Sequence, residues 1–284
     1  MAMNIRLTAR GLDLHCERVR IAAGRRRMPA LVLRPAQPRA DTPGVLWMHG
    51  GGYATGMKEM VFMSRAVDLV VRYGAVVVSP AYRLSWRAPY PAALDDCYAA
   101  LLWMRDHAVE LGVNPAQLMV GGESAGGGLA AALCLSARDR GEVAVAYQMP
   151  LYPMIDNLDT ASSADNHNKI WNTRRNHQAW WLYLRKDARS QQVSPYAAAA
   201  RATDFTDLPP AYTFVCTGEP FYAETLAYVE ALRKAGVPAE VDVYEGLYHA
   251  FDMVEPDLPE SQLARQRFCE HFERACSTCF APQG

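Results

Sequence analysis

The chain is short of the features that mark secreted, membrane-spanning and nucleic-acid-binding proteins. Its seven cysteines, at 16, 97, 134, 216, 269, 276 and 279, are odd in number and scattered over 284 residues. A disulfide scaffold would be denser and even, so reduced thiols in a cytoplasmic protein are expected. Cys276 and Cys279 form a C-x-x-C, but no second pair or histidine cluster completes a zinc site, so no metal is expected. No apolar run approaches the ~20 residues that cross a bilayer, and the opening MAMNIRLTARGLDLHCERVR lacks the apolar stretch of a secretory leader. Nor is there an excess of either charge: 29 Lys and Arg stand against 30 Asp and Glu, a net charge of −1. That balance gives no electrostatic case for nucleic acid or an anionic membrane as partner. The one basic run, Arg25-Arg26-Arg27, follows Gly24 between two strand-like stretches and reads as a solvated hairpin turn.

What is present suits one large domain. Half the residues are hydrophobic and 21% are charged, an ordinary globular composition. A chain of this length buries enough surface to need no covalent staple. Alternation over 16–23 and 29–34 predicts an N-terminal β-hairpin. Further strands are expected at 44–48, 75–79, 117–121, 143–149, 211–216 and 239–244. Helical patterns fall between them, near 58–73, 91–110, 125–140, 221–235 and 259–275. Strands separated by helices imply βαβ units, hence a mostly parallel sheet with helices on both faces and the hairpin at one edge. About sixty residues between the strands near 149 and 211 break this rhythm. They hold Trp171, Trp180 and Trp181, and a stretch so long is rarely structureless, so a helical insertion acting as a cap is expected.

Two motifs carry chemistry. Gly122-Glu123-Ser124-Ala125-Gly126 is a G-x-S-x-G between a strand and an Ala-rich helix. In that context the glycines allow a sharp reversal that lifts the Ser124 hydroxyl above the sheet. A P-loop would need Lys-Ser or Lys-Thr after its last glycine, and Gly127-Gly128 stand there instead; no early G-x-G-x-x-G exists either. The second motif, His49-Gly50-Gly51-Gly52-Tyr53, follows the strand GVLWM. Its bare backbone N–H groups at Gly51 and Gly52, with that of Ala125, are expected to form an oxyanion hole. His49 lies in the loop that must hold the oxyanion and reads as a structural hydrogen-bonder.

In order along the chain, HGGGY (49–53), AYRLSWRAPYPAALDD (81–96), GESAGG (122–127), GEP (218–220) and YHAF (248–251) resemble the hormone-sensitive-lipase group of carboxylesterases (bacterial family IV type) in the α/β-hydrolase superfamily. The resemblance runs from about residue 40 to 255. It implies an α/β-hydrolase fold with a mostly parallel eight-stranded sheet, an antiparallel N-terminal hairpin and a helical cap. Residues 1–151 and 207–284 would form the core, with the short N-terminal segment able to join the cap, and 152–206 would be the cap insertion. It also implies hydrolysis of carboxylic esters without metal or organic cofactor.

The remaining triad members follow from role and from that resemblance. A serine needs a neutral imidazole to take its proton, and His249, after the final strand, fits the order Ser, acid, His. It aligns with the family's His-Gly-Phe, with Ala250 in place of the glycine. The acid position, usually Asp-Pro, is Glu219-Pro220 here, 30 residues before His249. Asp252 is the main rival, and Asp242 should lie within a strand. Tyr53, Trp171, Trp180, Trp181, Phe221 and Tyr248 are candidates to wall a substrate pocket. Tyr82-Arg83 reads as scaffold, and Asp95 and Asp96 suit the start of a helix dipole. The expected protein is a serine carboxylesterase acting on a small-molecule ester of short to medium chain. The same motifs would serve an amidase, a formamidase or a sugar deacetylase. A non-catalytic small-molecule receptor of this fold is disfavoured because His249 is retained. The strand at 239–244, if at the sheet edge, would make a homodimer possible.

Overall fold

The computed structural model describes residues 5–7, 13–37 and 39–284. Residues 1–4 and 8–12 of the opening stretch, read above as carrying no leader, lie outside the described residues. The strands are β1 (Ile5–Leu7), β2 (Leu14–Ala23), β3 (Arg26–Pro35), β4 (Thr42–Met48), β5 (Val76–Pro80), β6 (Val113–Glu123), β7 (Tyr147–Leu151), β8 (Ala211–Cys216) and β9 (Ala239–Tyr244). They form one sheet in the order β1-β2-β3-β5-β4-β6-β7-β8-β9. Pairing is antiparallel from β1 to the β3–β5 contact and parallel from there to β9. The eight expected strands are present, and the three residues of β1 extend the edge beside β2. The hairpin turns at Gly24, whose φ is 59°. Its basic run is not wholly solvated, because Arg26 crosses to the buried Asp96 at 2.9 Å.

The helices are α1 (Ala66–Tyr73), α2 (Ala92–Asp106), α3 (Ala108–Leu111), α4 (Ala125–Arg140), α5 (Thr173–Leu184), α6 (Tyr222–Lys234), α7 (Phe251–Val254) and α8 (Pro259–Thr278). Several expected boundaries differ; the pattern at 91–110 divides into α2 and α3, and the strand at 117–121 lengthens to Val113–Glu123. The pattern at 58–73 splits into a 3-10 turn over Lys58–Met63 and then α1. Ser64 causes the break: its hydroxyl donates to the Val61 carbonyl at 2.8 Å and accepts from the Ala66 N–H at 3.1 Å, a local alternative to the helical ladder. The strand expected at 143–149 is β7 at Tyr147–Leu151, because the chain leaves α4 at Gly141 and uses the next residues to return to the sheet.

Period-two alternation sorts side chains between two cores. On β4, Leu46 and Met48 face the core shared with α2, α4 and α6, while Val45 and Trp47 face the one closed by α1 and α8. The stretch 152–206 contains α5 and short 3-10 turns at Arg185–Asp187 and Ala199–Arg201. Trp180, Tyr183 and Leu184 of α5 join the first of these cores. The loops after β4, β6, β8 and β9 all open at the carboxyl edge of the sheet, where open α/β sheets place ligands.

Two glycines set the closeness of that edge. A Cβ on Gly126 would sit 2.1 Å from the Met48 carbonyl oxygen, and one on Gly122 would sit 2.4 Å from the same atom. The exit of β4 therefore lies in contact with the turn between β6 and α4. Gly126→Ala is expected to force these segments apart and lose about 1–3 kcal/mol of stability. The measurement is a urea unfolding curve, with a lower midpoint at unchanged slope; an unmoved midpoint would show that the segments separate freely.

Candidate active site

Ser124 joins β6 to α4 with φ 57° and ψ −120°, a backbone region costly for any residue with a Cβ. Three backbone hydrogen bonds hold it there. Its N–H donates to the Leu151 carbonyl at 3.0 Å, and its carbonyl accepts from Gly128 N–H at 2.9 Å and Met154 N–H at 3.0 Å. The hydroxyl lies 3.0 Å from His249 Nε2, and His249 Nδ1 lies 2.5 Å from Glu219 Oε2. All three residues are buried. A carboxylate at Nδ1 fixes the proton on that nitrogen and leaves Nε2 free to accept from the serine.

Glu219 solves a problem of reach. It is one methylene longer than the Asp usual at this position. Its turn is drawn back against the exit of β9, where Gly218 N–H donates to Leu247 O at 3.0 Å. The carboxylate then folds over its own turn: Oε1 accepts from both the N–H and the Sγ–H of Cys216, each at 3.1 Å. Cys216 had no signal in the sequence as part of a site. The stretch 152–206 grips the same turn. Asn166 and Asn168 donate to the Gly218 carbonyl at 3.3 and 3.4 Å, and Ser162 donates to the Pro220 carbonyl at 2.6 Å.

The glycine loop lies beside the hydroxyl. A Cβ on Gly50 would be 3.4 Å from Ser124 Cβ. Gly51 and Gly52 have φ of 117° and 58°, values open to glycine. Among the described residues, no protein acceptor takes the N–H of Gly51, Gly52 or Ala125. Those three donors are unspent, and Ala125 opens α4, whose N-terminus favours negative charge.

His49 is buried with its ring stacked on Tyr82 at 4.3 Å. Its Nδ1 lies 2.7 Å from the Gly50 carbonyl, and the Tyr82 hydroxyl donates to the His49 carbonyl at 2.7 Å. Burial lowers its pKa to about 4, so it is a neutral strut of the loop. Arg83 binds Asp96 through its backbone N–H and Nε, both at 2.9 Å, so the Tyr82-Arg83 pair is scaffold. Asp96 is accordingly a buried ion-pair centre and not a dipole partner at a helix start.

The pocket candidates divide. Trp171 is half-buried with its ring centroid 6.2 Å from that of His249, and Phe221 meets the imidazole edge-on at 5.0 Å. Tyr53 is not a wall: it is buried, stacked on Tyr183 at 4.0 Å, with its hydroxyl donating to the Met154 carbonyl at 2.6 Å. Trp180 is core, and Trp181 is 56% exposed. Both line an outer cavity of about 500 Å³ with His177 and Arg185, which includes none of Ser124, Glu219 and His249. Tyr248 points its hydroxyl at Glu255, 2.5 Å away. The missed neighbour is Tyr152, whose ring stands edge-on to His249 at 5.1 Å.

Asp252 faces elsewhere. Ala250 adopts φ 58°, the left-handed conformation that explains a glycine in the related motif. The bend turns Asp252 to Arg65 Nε at 3.0 Å and the Tyr152 hydroxyl at 3.1 Å. Beneath Ser124, the buried Glu123 accepts from Trp47 Nε1 at 3.0 Å on each oxygen. Burial, helped by the Asp252 charge, pushes its pKa from 4.5 up to about 8. The native state therefore binds more protons than the unfolded chain between those values, and stability falls as pH rises through them. Glu123→Gln should flatten that decline from about pH 4.5 to 8, read as the urea midpoint against pH. An identical slope in both proteins would mean Glu123 is charged throughout.

The family profile of the alpha/beta hydrolase fold matches residues 45–253. Esterase LipI of Mycobacterium tuberculosis is 32% identical over 214 residues, 75% of this chain and 67% of that protein. Carboxylesterase NlhH of the same organism is 32% identical over 230 residues, 79% of this chain and 71% of that one. Among solved structures, a bacterial heroin esterase superposes with a TM-score of 0.86 at 33% identity, covering 93% of this chain and 84% of that one. Esterase LipW from Mycobacterium marinum superposes with a TM-score of 0.85 at 30% identity, covering 94% and 83%. With the profile spanning most of the chain and the motifs in order, the chain belongs to the α/β-hydrolase fold family, in its hormone-sensitive-lipase-like group.

Proposed function

We propose that the protein is a serine carboxylesterase that hydrolyses short- to medium-chain carboxylic esters through an acyl-enzyme on Ser124. The observation that carries the reading is the continuous hydrogen-bonded line from the Ser124 hydroxyl through His249 to Glu219, at 3.0 and 2.5 Å. As the Ser124 oxygen attacks the ester carbonyl, His249 Nε2 takes its proton, and Glu219 stabilises the imidazolium and holds its tautomer. The N–H groups of Gly51, Gly52 and Ala125 receive the developing oxyanion. His249 then protonates the leaving alcohol, and a water repeats the sequence on the acyl-enzyme. Ester and water are the only reactants, so the cycle calls for no metal or cofactor.

We assign 152–206 as the cap insertion on a core of 1–151 and 207–284. Its support is the packing of α5 over the glycine loop, where Ala179 Cβ lies 3.0 Å from a Cβ built on Gly52. Free thiols at all seven cysteines support a cytoplasmic protein. Among the described residues no helix is long and apolar enough to cross a membrane. The balanced charge favours neither nucleic acid nor an anionic surface. β9 is the terminal strand of the sheet with Val243 exposed, which favours edge-to-edge homodimerisation; a monomeric mass by light scattering would refute it.

Ser124→Ala should abolish hydrolysis of short acyl esters, with loss of kcat by at least about a thousandfold. Retained turnover would overturn the assignment, and faster cleavage of a matched amide than of its ester would make the enzyme an amidase. Along an acyl series, kcat/KM should fall beyond roughly eight carbons, because the stretch 152–206 covers the site with one helix and short 3-10 turns and encloses little apolar volume for a longer chain. A rate rising steadily with chain length would point to a lipase instead.

A further inference from the structure

The triad and the oxyanion donors leave one residue at the reaction centre without a role. Trp171 lies with the six-membered ring of its indole against Gly52: a Cβ there would come within 2.4 Å of Cη2 and 3.0 Å of Cζ2. The same ring is 6.2 Å from the centroid of His249 and 6.3 Å from that of Phe221. The indole therefore spans the gap between the glycine loop and the imidazole. It is also held in place. Its Nε1–H donates to Oδ1 of the buried Asn176 at 3.4 Å. The next residue, Asn172, caps α5 by accepting from Arg175 N–H at 3.0 Å, which fixes the chain on the other side.

The chemistry decides which half of a substrate meets this wall. In the tetrahedral intermediate, one bond runs to the Ser124 oxygen. The oxyanion points at Gly51, Gly52 and Ala125. The leaving oxygen must face His249 Nε2, because that nitrogen returns the proton. The acyl substituent takes the fourth bearing, away from both. Trp171, set against Gly52 and beside His249, borders the second and third directions. On the esterase reading above, we propose that Trp171, backed by Phe221, is a specificity residue for the alcohol half of the substrate, and that the enzyme takes esters of flat or unbranched alcohols. The half-buried indole face, held from behind by the buried Phe221, accepts an extended chain or a planar ring and excludes a branched or puckered one.

The test compares hexyl with cyclohexyl acetate, which share a carbon count and have leaving groups of similar basicity. The parent should prefer hexyl acetate. Trp171→Ala should raise the cyclohexyl-to-hexyl ratio of kcat/KM roughly tenfold or more, since each excluded methylene is worth about that factor. Trp171→Phe and Asn176→Ala should shift the ratio the same way by less, and they serve if the alanine variant does not fold. The ratio for ethyl hexanoate against ethyl acetate should stay within about twofold, because the acyl side is not bounded by the indole. An unmoved alcohol ratio, or a shift confined to the acyl series, overturns the proposal. If the parent cleaves none of these esters, or the Ser124→Ala variant cleaves them equally well, the esterase reading itself has failed; an active parent with unmoved ratios sinks the alcohol assignment alone.

Discussion

Ser124 is held in a backbone conformation that costs about 1–3 kcal/mol for a residue with a side chain, and the surrounding structure is arranged to enforce it. The strand β7 next door supplies the Leu151 carbonyl, and the loop after it the Met154 N–H, which fix the turn from both ends. The exit of β4 crosses so close that only hydrogen fits at Gly122 and Gly126. These constraints aim the hydroxyl out of the sheet and, by the same contact, bring the N–H groups of the glycine loop beside it. The proposed nucleophile and oxyanion donors are thus positioned by a single packing event. The imidazole and its carboxylate arrive independently, from the loops after β9 and β8. The hydrogen bond between Ser124 and His249 joins the two halves at the site.

Features that are local in the chain were the legible ones. Strand-turn-helix context identified Ser124, and three consecutive glycines identified the loop that leaves its N–H groups unspent. The order of βαβ units predicted the sheet. Glu219 and His249 lie 30 residues apart, and their pairing was legible only because the resemblance supplied an order of roles. What escaped reading depends on side chains meeting across the fold. Cys216 steadies Glu219 through a thiol that no spacing marks, and Tyr152 leans on His249 from the bend after β7. Tyr53 and Trp180 looked like pocket aromatics by proximity to motifs, but aromatic residues have large apolar surface and bury it first. The split at Ser64 is the same lesson at smaller scale: one hydroxyl outcompeted two helical hydrogen bonds.

The polar groups beneath the nucleophile are a different kind of support. Glu123 and Asp252 are both buried, and the Arg65 guanidinium neutralises only one of them directly. Asp252 keeps its charge company with Arg65 and Tyr152. Glu123 accepts from the indole N–H of Trp47, and burial outweighs that bond and the more distant Arg65 charge, favouring the protonated form. The protonated form places no second negative charge under the site where an oxyanion must form. The elbow therefore rests on an acid whose burial favours the protonated form, while the carboxyl proposed for the triad, Glu219, sits on the far side of His249.

The stretch 152–206 completes this division of labour. A lid that swings as a rigid body would share few polar contacts with the residues it covers. This one donates twice to the Gly218 carbonyl and once to the Pro220 carbonyl, on either side of Glu219. It also sends Trp180 and Tyr183 into the core and ties Arg185 to the Ser85 carbonyl at 2.9 Å. Lifting it whole would expose those aromatics and remove the donors that fix the turn of the acid. On the proposed assignment of 152–206 as a cap, the cover of the site and the support of the carboxylate are the same piece of chain. The half-buried indole of Trp171, which belongs to that stretch, lies against Gly52.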